Sequence, residues 1–159
     1  MRPTRNAVLA STALAALGLA AAALADEKAP ALPRDYRSWM HVRSMAVTDP
    51  DHGMYGFQDV YANKAALSTL RAGKAGPFKD GATLVAAIYE PVTADGMVKA
   101  GAKRRTAVQV KDSRAIATGG WRYAVYDPAG KPVQVDPATC VGCHQAARDT
   151  DSVFARFVE

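Results

Sequence analysis

The chain has two cysteines, and they stand three apart immediately before a histidine, as Cys140-Val141-Gly142-Cys143-His144. Thiols at that spacing can add across the two vinyl groups of a porphyrin while the adjacent imidazole reaches the iron from below. The segment therefore reads as the attachment site of one covalent haem c, with His144 as an axial ligand. A structural zinc site and a redox-active disulfide also use Cys-x-x-Cys pairs. Zinc normally takes four ligands, and no second cysteine pair is present to complete a site. A thioredoxin-like centre needs a βαβ surround, which the sequence near residue 140 does not display.

The first 25 residues carry Arg2 and Arg5, an apolar run rich in small residues over 7–24, and Ala23-Leu24-Ala25 ahead of Asp26. That is the pattern of a secretory signal peptide with an Ala-x-Ala cleavage site. As a membrane anchor the run is marginal in length, and its alanines make it weakly apolar. Covalent haem is attached outside the bacterial cytoplasmic membrane, so leader and motif together predict a periplasmic protein with no stable membrane insertion after cleavage. Residues 26–159 then form one haem domain, long enough for a single core. Without the two leader arginines the formal charge falls from +5 to +3, a mild balance that bears on solubility and does not call for a nucleic-acid partner. Lys103-Arg104-Arg105, the only basic run, is expected in a solvated turn beside Gly101, where it would be available to an acidic redox partner.

The motif ends fifteen residues before the carboxy terminus, and no Met follows His144. Small electron-transfer cytochromes c place the motif near the amino terminus and supply a Met downstream. Helical-bundle cytochromes c′ also carry it late, so periodicity has to choose the architecture, and it predicts strands. Residues 56–61, 82–89, 106–111 and 121–126 are short runs rich in β-branched and aromatic residues, bounded by Gly, Pro, Asn or Asp. Pro91 is expected to stop the second, and Asp127-Pro128-Ala129-Gly130 forms a turn after the fourth. Asn63 caps a helix over 64–72 whose Ala66, Leu67 and Leu70 share a face, with Gly73 as its left-handed stop. Residues 36–45 fit a helix or a strand equally. A short helix after Pro137 carries the haem motif, and Thr150 or Asp151 caps a last turn that packs Val153, Phe154 and Phe157. The expected class is α+β, mainly antiparallel sheet with short helices and a covalent c-type haem near the carboxy end.

Seven pieces occur in a telling order: Tyr36-Arg37-Ser38-Trp39, Val60-Tyr61-Ala62-Asn63, Phe78-Lys79-Asp80-Gly81, Val110-Lys111-Asp112, Gly119-Gly120-Trp121, Cys140 to His144, and Asp151-Ser152-Val153-Phe154. In this order and spacing the chain resembles the cytochrome P-460 family, which also contains the sheet-rich cytochromes c′-beta. The resemblance implies a mainly β fold, a homodimer, His144 as proximal ligand and a distal side that handles small nitrogen compounds. Hydroxylamine-oxidising members of that family bear a Lys on the strand after the Phe-x-Asp-Gly turn, cross-linked to the porphyrin edge. The same register puts Ala86 there, which has no amine to join; Lys74 and Lys79 precede the turn and are expected in solvent.

Methyl groups at Ala86 and Ala87, with Leu84 or Ile88 beside them, would leave a roomy apolar distal face that favours neutral diatomics such as NO or CO over anions. Phe57 and Phe78 are candidates for an aromatic cap over it, or for ordinary core packing. Met40, Met45, Met54, Met97, His41 and His52 precede the motif as possible sixth ligands, each more simply explained as packing or surface. His52 lies in the turn-rich Asp49-Pro50-Asp51-His52-Gly53, and Tyr55 is a possible polar distal residue. Three functions follow. The leading one is a five-coordinate cytochrome binding NO or a related small gas. The second is a hydroxylamine or NO oxidoreductase, for which Asp59, Glu90 and Asp112 are the proton acceptors to inspect. The third is an electron carrier with Met54 or His52 on the iron. Each would exchange electrons with a periplasmic redox partner, and no catalytic residue is assigned.

Overall fold

The computed structural model describes residues 29–73 and 76–157. The leader assigned to residues 1–25 and Lys74 lie outside them. The fold is α+β. Six strands, β1 (Met40–Val47), β2 (Gly56–Ala62), β3 (Thr83–Ala94), β4 (Met97–Lys111), β5 (Trp121–Tyr126) and β6 (Pro132–Val133), form one sheet in sequence order. Every neighbouring pair is antiparallel. Two short helices, α1 (Lys64–Arg71) and α2 (Pro137–His144), lie between and after the strands.

The four expected strands are present, and the ambiguity over residues 36–45 resolves into two elements. A single 3-10 turn, Tyr36–Ser38, ends at Trp39, and β1 follows with seven registered pairs to β2. Pro91 does not stop β3. The β3–β4 hairpin runs on to Ala94 and Met97 through Asp95 and Gly96, whose φ values of 53° and 74° suit a tight primed turn. Neither neighbour follows it. β2 pairs with β3 only as far as Tyr89, and β5 reaches β4 only at Thr106. Pro91 therefore sits beside a register shift in a two-stranded arm, where no ladder needs its missing N–H.

Asn63 does more than cap. Its Oδ1 accepts from the backbone N–H of Ala66 at 2.9 Å and of Thr83 at 3.1 Å, and its Nδ2 donates to the Gly81 carbonyl at 2.9 Å. One side chain thus joins the start of α1 to the start of β3. Loss of an N-cap alone costs about 0.5–2 kcal/mol. Asn63→Ala is therefore expected at the upper end, about 2 kcal/mol, read as a lower denaturation midpoint with an unchanged slope in urea.

Alternate residues of a strand point to opposite faces, and the register makes the sheet two-sided. Val60, Ala86, Ala107 and Val125 form one row across β2–β5. Tyr61, Val85, Val108 and Ala124 form a row on the other face, where Leu32, Tyr36 and Trp39 of the amino-terminal arm cover it. The arm is tied down from residue 30, whose carbonyl accepts from the Tyr126 hydroxyl. On the first face α1 packs Ala66 and Leu70 against Ala62, Leu84, Phe78, Trp121 and Val153, filling one end. The rest of that face stays hollow.

The carboxy-terminal segment departs from expectation. After α2 a 3-10 stretch, Gln145–Thr150, ends in two consecutive left-handed residues, Asp151 and Ser152, at φ 52° and 62°. Residues 153–157 then continue without helix. Asp151 closes this stretch and caps no following turn. Lys103-Arg104-Arg105 is likewise part of β4, not a solvated turn. Lys103 stands over the Tyr36 ring, Arg104 pairs with Glu90 at 2.7 Å, and Arg105 donates to the Gly53 carbonyl at 2.9 Å.

Candidate haem site

A cavity of about 750 Å³ lies over the hollow half of the sheet, within the range of about 300–1,000 Å³ usual for cofactor and ligand pockets. Its sheet wall is built by alternation: Arg43, Met45 and Val47 on β1; Gln58 and Val60 on β2; Leu84 and Ala86 on β3; Arg105, Ala107 and Gln109 on β4; and Tyr123 and Val125 on β5. The facing wall is α2 with Val153, Phe154 and Ala155. At the far end lie His52, Gly53 and Met54 of the β1–β2 loop.

Local chemistry explains why α2 forms where it does. Asp136 accepts from the Ala138 N–H at 2.9 Å, and Pro137 occupies the first turn, where its missing N–H costs nothing. Residues three and four apart on a helix are neighbours, so Cys140, Cys143 and His144 leave α2 on one side, and all three border the cavity. Both thiols are unpaired, and burial pushes the Cys140 thiol pKa up. Among the described residues no three His, Cys, Asp or Glu side chains gather to hold a metal ion by themselves.

His144 is set up as a ligand. Its Nδ1 lies 2.6 Å from the Ser152 carbonyl oxygen. A carbonyl can only accept, so Nδ1 carries the proton and Nε2 keeps its lone pair, the arrangement typical of metal-bound imidazoles. Burial lowers the His144 pKa from its ordinary value, against the opposing pull of that carbonyl, so the ring stays neutral. The rings of Tyr123 and Phe154 flank it at 4.9 and 5.2 Å. The Ser152 carbonyl also accepts from Gln109 Nε2 at 3.0 Å. Asp151 holds the turn that presents it, taking Lys111 Nζ on Oδ1 at 2.7 Å and the Phe78 N–H on Oδ2 at 2.8 Å.

The donor set fits a haem. Two free thiols and a lone-pair imidazole line one wall of a largely apolar cavity. Arg43 and Arg105 border the same space, which among the described residues has no carboxylate on its walls. The two acid groups of a porphyrin would balance that pair of cations.

Ala86 lines the cavity as expected, with Leu84 beside it. Ala87 points the other way and is fully buried in the second core, and Ile88 is buried outside the cavity wall. The aromatic cap is corrected on both counts. Phe57 pairs with Tyr89 on the opposite face, and Phe78 packs edge-on against Trp121 at 5.6 Å beside a separate hollow of about 270 Å³. The aromatic rings that do border the cavity, Tyr123 and Phe154, crowd His144 instead. None of the inspected carboxylates reaches it: Asp59 accepts from Ser44, Glu90 from Arg104, and Asp112 from Arg114 and Arg122. Of the possible sixth ligands, Met45, His52 and Met54 border the cavity, while Met40, Met97, His41 and Tyr55 do not. Arg43, Gln58 and Gln109 were not singled out by the sequence as site residues, and Arg105 stood out only within the basic run expected in a solvated turn. Their common signal is strand parity, legible only once a single lining residue such as Ala86 is known.

Residues 33–155 match the family described as Cytochrome P460. No curated protein matches the chain. The match takes in all of β1–β6, the Cys140–His144 segment and the turn that holds His144. The chain belongs to the cytochrome P460 family and is a haem-binding cytochrome.

Proposed function

We propose that the protein is an exported c-type cytochrome of the c′-beta kind, with one haem joined by thioethers to Cys140 and Cys143 and coordinated by His144, that binds NO or a related small gas. Held by Cys140, Cys143 and His144, a haem would supply an iron able to take a small ligand. The observation that carries the reading is the composition of the cavity wall. Among the described residues it has Ala86 where a cross-linking amine would have to stand, no lysine, and no carboxylate to take a proton from hydroxylamine. His144 keeps Nε2 free on one side, and Val60, Leu84, Ala86 and Ala107 give the cavity an apolar sheet wall. The leader supports a periplasmic location, and the resemblance of the sequence to the sheet-rich cytochromes c′-beta is the ground for reading it as a homodimer; a periplasmic redox partner belongs to the same proposal.

One observation favours a second reading. Met54 borders the cavity, and a thioether on the iron would fill the open position and leave an electron carrier.

The purified holoprotein separates these. Denaturing mass spectrometry is expected to give the chain without its leader plus one haem, with nothing extracted by acid acetone. The ferrous protein is expected to bind CO and NO and the native protein to turn over hydroxylamine poorly. Efficient hydroxylamine oxidation or a strongly red-shifted Soret band would overturn the gas-binding reading in favour of the enzyme. A low-spin iron that ignores CO would overturn it in favour of the carrier.

A further inference from the structure

We propose that His52 donates a hydrogen bond to a ligand held in the cavity opposite His144, and so biases the site toward small anions and polar nitrogen oxides over carbon monoxide. The inference rests on the gas-binding reading above and gives that site a ligand preference.

The backbone N–H of Met54 lies 3.0 Å from His52 Nδ1. An amide N–H can only donate, so Nδ1 is the unprotonated nitrogen. A neutral imidazole has one donor and one acceptor nitrogen, which puts the proton of His52 on Nε2. This is the reverse of His144, where Nδ1 is the protonated atom. One histidine of the cavity thus offers a lone pair at Nε2 and the other an N–H.

The two stand at opposite ends. Tyr123, which touches His144, is in register with Gln109, whereas the residue bonded to Gly53 is Arg105, four positions back along β4. At about 3.3 Å per residue the rows are about 13 Å apart. The loop that carries His52 is held in place. Three successive carbonyls are engaged: His52 by the Tyr55 N–H at 2.8 Å, Gly53 by Arg105 at 2.9 Å, and Met54 by Gln58 Nε2 at 2.7 Å. Both side-chain donors come from the cavity wall itself. A donor whose backbone is fixed loses little freedom when it meets a ligand. The wall is thus less hostile to anions than the alanines on β3 alone imply.

The test uses holoprotein in three forms: native, His52→Leu and His52→Gln, the last retaining an N–H donor. Fluoride and cyanide affinities are measured on the ferric protein, and CO affinity and the C–O infrared stretch on the ferrous protein. His52→Leu is expected to lose tenfold or more in fluoride affinity, roughly the range of a hydrogen bond to a charged group, with a smaller loss for cyanide. Its CO affinity is expected to stay within about threefold, with the C–O stretch moved to higher frequency as a polarising N–H disappears, and His52→Gln is expected to recover most of the fluoride loss. Unchanged fluoride affinity and stretch in His52→Leu would overturn the proposal while leaving gas binding intact. A native low-spin spectrum that becomes high-spin in His52→Leu would overturn it by making His52 a ligand. If native protein bound neither CO nor cyanide, the gas-binding reading would fall and this proposal with it.

Discussion

His144→Ala is expected to remove the axial imidazole altogether, converting the spectrum of the ferrous protein to one without a histidine ligand while the haem stays on the chain through Cys140 and Cys143. Neither Tyr123 nor His41 is placed to take over at that position. Tyr123 flanks His144, but burial first of all drives its hydroxyl well above the ordinary tyrosine range, so it stays neutral and a poor ligand. His41 is outside the cavity, with its Nε2 at 3.0 Å from Ser44 and 3.4 Å from Asp59. The substitution also empties space between Tyr123 and Phe154 and leaves the Ser152 carbonyl with Gln109 as its side-chain donor, so some stability is lost with the ligand. Added imidazole separates the two effects. It is expected to enter the vacated space and restore the native absorption and EPR signature, which a merely destabilised fold would not recover. A native spectrum in His144→Ala would move the proximal role to His52, the other imidazole on the cavity wall.

The Cys140–His144 segment stood out as a unit because its signal lies in spacing along the chain, and the structure brings its three side chains to one cavity wall. β2–β5 were legible because their alternation and β-branched content need no partner to be seen. What the sequence hid depended on partners. β1 is strand because it pairs with β2, and Met40, Arg43 and Met45 do not announce that on their own. Pro91 fails to end β3 because the neighbouring strands end first, a fact about β2 and β5. Face assignments were the most fragile, since one residue of slip reverses them: Ala86 faces the cavity and Ala87 the other core, and Phe57 sits one position from Gln58, which lines the cavity. Arg43 and Arg105 meet at the same cavity only through registers that cross β1 to β4. No spacing rule links them.

The turn behind His144 carries the second large effect. Asp151 and Ser152 both hold positive φ without being glycine, a conformation that costs on the order of 1–3 kcal/mol per residue and persists only where the surroundings over-determine it. Here Asp151 supplies the restraint. It joins β4 through Lys111 and the segment before β3 through the Phe78 N–H, and it packs so closely on Gly76 that a Cβ there would come within 2.7 Å of its own Cβ. The Lys111 side chain is only 11% exposed, and its ammonium would keep the Trp121 ring, 4.9 Å away, as its remaining neighbour of opposite polarity. Asp151→Ala therefore leaves a nearly buried cation and a backbone N–H without their acceptor, and removes the residue type that tolerates the left-handed region. The expected cost is about 3 kcal/mol, near the value for breaking a buried ion pair, seen as a lower denaturation midpoint of the holoprotein. Asp151→Asn keeps the amide acceptor and the backbone tolerance and is expected to lose about half as much. Because this turn aims the Ser152 carbonyl at His144, the alanine variant is also expected to weaken the Nδ1 hydrogen bond and lower the iron–histidine stretching frequency, since a weaker bond there makes the imidazole a poorer donor. A stretch unchanged in Asp151→Ala, with stability reduced, would confine Asp151 to the fold and leave the orientation of His144 to Gln109 and the ring contacts.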